Sequence, residues 1–284
     1  MHTALWWETE NNAVRCGLCP HNCLIAEGRT GICRARKNAG GELVSLVYGN
    51  VVSMHVDPVE KKPLYHFHPG SQILSVGVTG CNFRCSFCQN WEISQAEAGS
   101  LPTEPLSPRQ AASMSGEGGS IGIAYTYNEP LINAEWILDT SRLVRKAGRV
   151  NVLVTNGYIN PKPMAELMPF IDAANVDVKA FNDDFYKKLC GAQLDPVLRT
   201  VEAMHKAGVH VELTTLLIPG KNDSAKEIEK LTAWVASVSA DIPLHFSRYH
   251  PDYKYTAPAT DMESMKRAHD IARKRLKYVY LGNI

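Results

Sequence analysis

From about residue 72 onward, short apolar runs rich in β-branched residues alternate with amphipathic stretches long enough for helices. The strand candidates are "ILSVGVT" (73–79), "IGIAYT" (121–126), "VNVLVTN" (150–156), "ANVDVKA" (174–180), "VHVELTTLLI" (209–218) and "PLHFSRYH" (243–250), with "YVYLG" (278–282) as one more. Strands apolar on both faces and separated by helices pair in parallel, because each crossover helix covers one face of the sheet. Six or seven such units are too few for a closed eight-stranded barrel. The expected fold class is therefore α/β, a partial (β/α)6-type barrel over 72–284. Helix candidates include 130–147, closed by Gly148, and 224–238, where Ser224 and Glu227 make a capping-box pattern.

In such architectures chemistry gathers at the C-terminal ends of the strands. Polar residues cluster there in this chain: Thr79 through Cys88, Thr126 to Glu129, Thr155 and Asn156, Asp177 and Lys179, Arg248 and His250. Structural needs alone would not place all of them at one end.

Residues 1–71 read differently, as a small N-terminal module. They hold four of the eight cysteines in "CGLCPHNCLIAEGRTGIC" (16–33), then the turn "NAGGE" and a β-like run, "LVSLVYGNVVSMHV". Clustered thiols among turn residues describe a segment ordered by a metal more than by its own core.

Thirty basic against twenty-nine acidic residues give a formal charge of +1, which argues against a nucleic-acid partner. The basic stretch "KRAHDIARKRLK" (266–277) reads as one solvated helix face. No charged n-region followed by an apolar run opens the chain, and no run approaches the ~18 residues of a membrane span. A cytoplasmic protein without membrane contact is expected, its thiols reduced and available as metal ligands rather than paired as disulfides.

"GVTGCNFRCSFCQNWEIS" (77–94) places Cys81, Cys85 and Cys88 in eight positions and supplies no fourth thiol. Three thiolates can hold three irons of a [4Fe–4S] cube and leave the fourth open, as catalysis requires. Zinc completed by a distant histidine is the other reading, although zinc sites favour paired C-x2-C. The C-x3-C-x2-C spacing after a first strand, the aromatic Phe87 and the partial barrel resemble the radical S-adenosylmethionine (SAM) enzymes over roughly residues 72–250.

That resemblance implies SAM on the open iron of a cluster held by Cys81, Cys85 and Cys88. It implies one-electron cleavage of the sulfonium C–S bond and a 5′-deoxyadenosyl radical that abstracts a substrate hydrogen. Asn128 and Glu129 of "YTYNEP" would meet the methionyl amine; their other reading is a turn and N-cap before Pro130. Asp177 and Lys179 of "DVKAF" would handle the ribose hydroxyls and SAM carboxylate, where a purely structural ion pair would be costly. Phe87, Thr155, Asn156 and His250 are the remaining expected cofactor contacts. An electron donor such as flavodoxin or ferredoxin is the implied redox partner.

The segments "TNGY", "DVKAF", "LLIPGKND" and "RYH" follow the order found in activases of glycyl radical enzymes such as pyruvate formate-lyase. Two departures stand out: Val154 replaces an acidic residue, and no cysteine lies between Cys88 and Cys190. Over nearly the whole chain, "RCGLCPHNC…GRTGICRAR", "DPVEKKPLYHFHPGS" (57–71), "CQNWEIS", "AYTYNEP" and "HFSRYHPDYKY" resemble the AmmeMemoRadiSam-system radical SAM proteins. Memo-like and AMMECR-like proteins are then the implied partners or substrates. The C-terminal C-x-x-C pairs common in that group do not occur in this sequence.

Cys16, Cys19, Cys23 and Cys33 are enough thiolates to close a second site. Pro20, Gly28 and Gly31 fit a zinc knuckle, whereas C-x2-C-x3-C approaches the spacing of a second [4Fe–4S] cluster. Cys190 reads as a packed thiol. A non-catalytic iron–sulfur or zinc-organised binding protein would explain both cysteine groups, but it leaves the polar residues at the other strand ends without a task.

Overall fold

The computed structural model describes residues 1–284 and is built on one eight-stranded sheet. An antiparallel edge strand, β1 (Ser53–Pro58), precedes seven parallel strands. These are β2 (Gln72–Gly77), β3 (Ser120–Tyr125), β4 (Val150–Thr155), β5 (Ala173–Asp177), β6 (His210–Leu217), β7 (Leu244–Arg248) and β8 (Val279–Gly282). They lie side by side in chain order, and β1 does not pair with β8, so the barrel is open. All seven expected strands are present, their ends shifted by a few residues. β1 was not anticipated in this sheet: Ser53 pairs with Gly77 and Pro58 with Gln72, so the sheet begins before residue 72.

The pleat divides the sheet into two faces. Leu74, Val76, Ile123, Tyr125, Leu153, Val176, Leu213 and Phe246 point outward into the main core, against helix residues such as Ile137, Val144, Val201, Val235 and Met265. Each such burial stabilises the fold by about 1.5–3 kcal/mol. Ser75, Ala124, Val152 and Ala173 stand opposite one another on the inner face.

Residues 59–71 plug the N-terminal end of that inner face. Val59 and Leu64 pack on Ile73, Ala124, Val152 and Ala173, and Asn175 Nδ2 donates to the Pro63 carbonyl at 2.8 Å. Glu212 clamps the plug by accepting from the backbone N–H of Tyr65 (3.0 Å) and His66 (2.8 Å). Its carboxylate also meets His245 at 2.7 Å and His210 at 3.0 Å. Burial alone would raise this carboxyl, but hydrogen bonds from both histidines and the two amides hold it down to about 2. A depressed carboxyl contributes stability above its ordinary range and loses it as pH falls toward the folded value. Glu212→Gln should therefore unfold more easily than wild type at pH 7, by up to about 3 kcal/mol. The gap should close between about pH 4.5 and 2 in denaturant titrations. A gap independent of pH would show that shape, not charge, holds the plug.

Near the N-terminus, Trp7–Glu10 pairs with Ala13–Cys16, and Arg36–Ala39 pairs with Glu42–Ser45. Gly40 and Gly41 supply the positive φ values (68° and 83°) that this two-residue turn demands. Val14, Leu18, Ile25 and Leu43 belong to the same core as the barrel helices. The docking is polar as well: Arg36 forms a buried 2.9 Å ion pair with Glu135, which also accepts from Leu5 N at 2.7 Å.

The helix expected over 130–147 begins as a 3-10 turn, Pro130–Asn133, before its α-helical part, Ala134–Lys146, and Gly148 follows at φ 72°. In the helix Ala225–Val238 only half the capping box forms. Ser224 Oγ accepts from Glu227 N, but Glu227 Oε1 instead takes Phe181 N and Asn182 Nδ2, both at 2.7 Å. It thereby pins the loop after β5. No helix is long and apolar enough to cross a membrane.

Candidate active site

The three-cysteine loop leaves β2 through Gly80, at φ 98° with its α-carbon pressed against the module. A side chain there would meet the Cys33 carbonyl oxygen at 2.5 Å. Asn128 splints the turn: its Oδ1 accepts from Val78 N (3.2 Å) and its Nδ2 donates to the Gly80 carbonyl (2.7 Å). Arg84 N and Ser86 N donate to the carbonyls of Cys190 (2.8 Å) and Leu189 (3.1 Å), fixing the loop on its other side. Lys254 N reaches the Ser86 carbonyl at 3.0 Å, and Tyr253 stacks on Trp91 with centroids 5.1 Å apart. The segment "PDYKY" is thus strapped to the cysteine loop.

Cys81 Sγ accepts from Phe83 N at 3.3 Å, Cys88 Sγ lies 3.1 Å from Ser94 Oγ, and Cys85 is buried. The Cys85 thiol is pushed well above its ordinary range, first by the Cys190 thiol beside it and then by burial. Cys190 is the packed neighbour that its sequence context implied, and it touches a loop cysteine directly.

Glu129 sits beneath the loop and is almost fully enclosed. Its Oε1 accepts from Leu131 N (3.0 Å) and Thr155 Oγ1 (2.7 Å), and Oε2 from Asn156 N (2.7 Å). Burial pushes this carboxyl up to about 7, against those hydrogen bonds. The N-cap reading is therefore realised, and the same carboxylate ties the end of β3 to the end of β4. Asn156 Nδ2 continues the chain to Asn82 Oδ1 at 2.8 Å and faces Cys81 Sγ at 3.9 Å.

At the end of β5, Asp177 and Lys179 form a 2.7 Å ion pair, both partly exposed. Burial would lower the Lys179 ammonium, but Asp177 beside it holds it above its usual range. Tyr186 Oη accepts from Lys179 N, and Asn222 Nδ2 donates to the Lys179 carbonyl, so the strand end is rigid. Thr214, opposite Asp177 in register, carries a buried hydroxyl with no partner. Of the other expected residues, Phe87 is buried against Phe185 with centroids 5.6 Å apart, and His250 is exposed beyond the end of β7.

Several residues were missed in the sequence. Tyr127, at φ 72°, lies over Gly77 and donates to Asp57 at 2.8 Å, while buried Lys62 pairs with Asp57 at 2.8 Å. The charges of Asp57 and Lys62, two of the four in "DPVEKKP", were the available signal. Asn82 falls within the polar run Thr79 to Cys88 at the end of the first strand; nothing in the sequence pointed to Tyr186 or the orphaned Thr214.

The donors fit the implied groups. Cys81, Cys85 and Cys88 share one short loop, with the Cys190 thiol beside Cys85. A cation–carboxylate pair and an unpartnered hydroxyl are what the carboxylate and ribose hydroxyls of SAM would engage. Cys16, Cys19, Cys23 and Cys33 all line a single separate cavity.

A family model described as the radical SAM superfamily matches residues 75–233. An uncharacterized protein of Methanocaldococcus jannaschii is 43% identical over 100% of this chain and 86% of its own length. The pyruvate formate-lyase 1-activating enzyme of Escherichia coli K12 is 23% identical across 60% of this chain and 71% of its own. Among solved structures, a domain of the pyruvate formate-lyase-activating enzyme from Bacteroides vulgatus superposes with a TM-score of 0.51 at 18% identity. That match covers 57% of this chain and 99% of the other, and it concerns the fold alone.

Proposed function

Because the chain belongs to the radical SAM superfamily, we propose that it binds a [4Fe–4S] cluster through Cys81, Cys85 and Cys88 and cleaves SAM reductively to abstract hydrogen from a protein or peptide. When bound to these three thiols, the cluster would supply the one electron needed for reductive cleavage of the sulfonium. Every other task falls to the chain. Asp177 accepts from ribose hydroxyls, assisted by Thr214, and Lys179 offers a point charge to the SAM carboxylate. Glu129 keeps one carboxylate lone pair free for the methionyl ammonium while it braces Thr155 and Asn156. Phe87 and Asn156 shape the cluster side, and His250 is free to approach SAM from the end of β7. The observation that carries this reading is the convergence of the cysteine loop, Glu129 and the Asp177–Lys179 pair at one end of a single parallel sheet plugged at the other.

Lys179→Met removes a charge-assisted contact worth ~1.5–3 kcal/mol. SAM affinity measured by calorimetry should fall about ten- to a hundredfold. An unchanged dissociation constant would make the lysine purely structural.

The substrate class rests on the strand C-termini lying at the end opposite the plug and on a relative named for activating another enzyme. Within the superfamily we place the chain in the AmmeMemoRadiSam-system group. The cysteine quartet and the plug segment "DPVEKKPLYHFHPGS" support that placement. Memo-like or AMMECR-like proteins are then the protein substrates or partners, and a flavodoxin or ferredoxin the electron donor. A glycyl radical enzyme is the second protein target, favoured by the activating-enzyme relative and disfavoured by Val154. The yield of 5′-deoxyadenosine should rise when such a protein is added. A yield stimulated only by small metabolites would contradict both protein-substrate readings.

A further inference from the structure

The four N-terminal cysteines come from different parts of the module: Cys16 closes a strand, Cys19 and Cys23 lie in the turn beyond it, and Cys33 follows ten positions later. All four nevertheless line one cavity. Its remaining wall is mostly apolar, from Leu18, Ile25, Ile132, Tyr158 and Ile159. Gly31 lies beside Cys23: a carbon added there would sit 3.6 Å from its sulfur and 3.2 Å from Ile25 Cδ1.

A tetrahedral zinc, with Zn–S near 2.3 Å, would draw four sulfurs to within about 3.8 Å of one another. Cys16, Cys19, Cys23 and Cys33 are not drawn into a group that could hold a single metal ion. Thiolates on the corners of an iron–sulfur cube stand farther apart, one to each iron. Cys81, Cys85 and Cys88 likewise form no group that could hold a single ion. The turn residues Pro20, Gly28 and Gly31 point to zinc in the sequence, but the space between the sulfurs does not.

The geometry points to a second [4Fe–4S] cluster held by Cys16, Cys19, Cys23 and Cys33, with all four irons ligated by the chain. It lies directly behind the first cysteine loop. Asn82, next to Cys81, lines the cavity, and its carbonyl meets His21 Nε2 at 2.8 Å. Gly80 packs under the Cys33 carbonyl. With no open iron, this cluster cannot take SAM or substrate as a ligand, which separates it in function from its neighbour.

The test is metal analysis and electron paramagnetic resonance on full-length protein prepared and reduced without oxygen. About eight irons and no zinc per chain are expected, with two reduced-cluster signals of which SAM perturbs one. Cys19→Ala/Cys23→Ala should lose about four irons and the signal that SAM leaves unchanged. Cys85→Ala should instead lose the SAM-responsive signal, so failure of the active-site reading is told apart from failure of this one. About four irons and one zinc in the wild type would overturn the inference, whether or not the variants fold.

Discussion

Replacing Cys81, Cys85 or Cys88 with Ala is expected to reduce 5′-deoxyadenosine formation to the enzyme-free background. Each thiolate would hold its own iron, so removing one leaves the cube with two protein anchors and no fixed orientation toward Glu129 and Asp177. Apart from Phe83 N, which donates to Cys81 Sγ, the backbone of the loop is held without the sulfurs. It is held by Asn128, by the amides of Arg84 and Ser86, and by Lys254. The variants should therefore keep their secondary structure and lose the chemistry, which circular dichroism and product chromatography would show together. Cys190→Ala removes a neighbouring thiol that is not among the ligands and should still cleave SAM. Full cleavage by any of the three loop variants would end the assignment.

Gly80→Ala should damage both sulfur sites at once. Its φ of 98° is one that side chains rarely adopt, and the new carbon would sit 2.5 Å from the Cys33 carbonyl and 3.2 Å from Ile132 Cδ1. Strain of this kind costs ~1–3 kcal/mol before the clash is counted. Backbone on both sides of the contact leaves little room to yield. The expected result is a melting temperature several degrees lower, with iron lost from both cysteine groups. Gly99→Ala isolates the clash, because that glycine has φ 83° and nothing within 4 Å of the added carbon. Equal effects of the two substitutions would show that the module and the loop are not pressed together as described.

The strands were legible because their apolar runs are short, β-branched and separated by helix-length segments. The three-cysteine loop was legible because all its ligands lie in one stretch. What escaped depends on tertiary placement. β1 reads as part of a β-like run in the N-terminal segment, and only its pairing with β2 assigns it to the barrel sheet. The plug could not be read from "DPVEKKPLYHFHPGS", since its anchor, Glu212, lies about 150 positions away in a strand. Glu227 fits a capping box by spacing, yet its carboxylate is claimed by the loop after β5. The spacing of Cys16, Cys19, Cys23 and Cys33 leaves zinc and a cluster both open for the same reason: spacing constrains the order of the thiols, while the cavity between them sets what would fit.

The central claim is that this chain performs radical SAM chemistry at the mouth of the open barrel. It is tested most directly by mixing anaerobically reconstituted wild-type protein with dithionite and SAM and quantifying products. 5′-Deoxyadenosine and methionine are expected in equal amounts, increasing with time and absent without reductant. A reduced, cluster-loaded protein that leaves SAM intact would contradict it and return the chain to the class of iron–sulfur binding proteins.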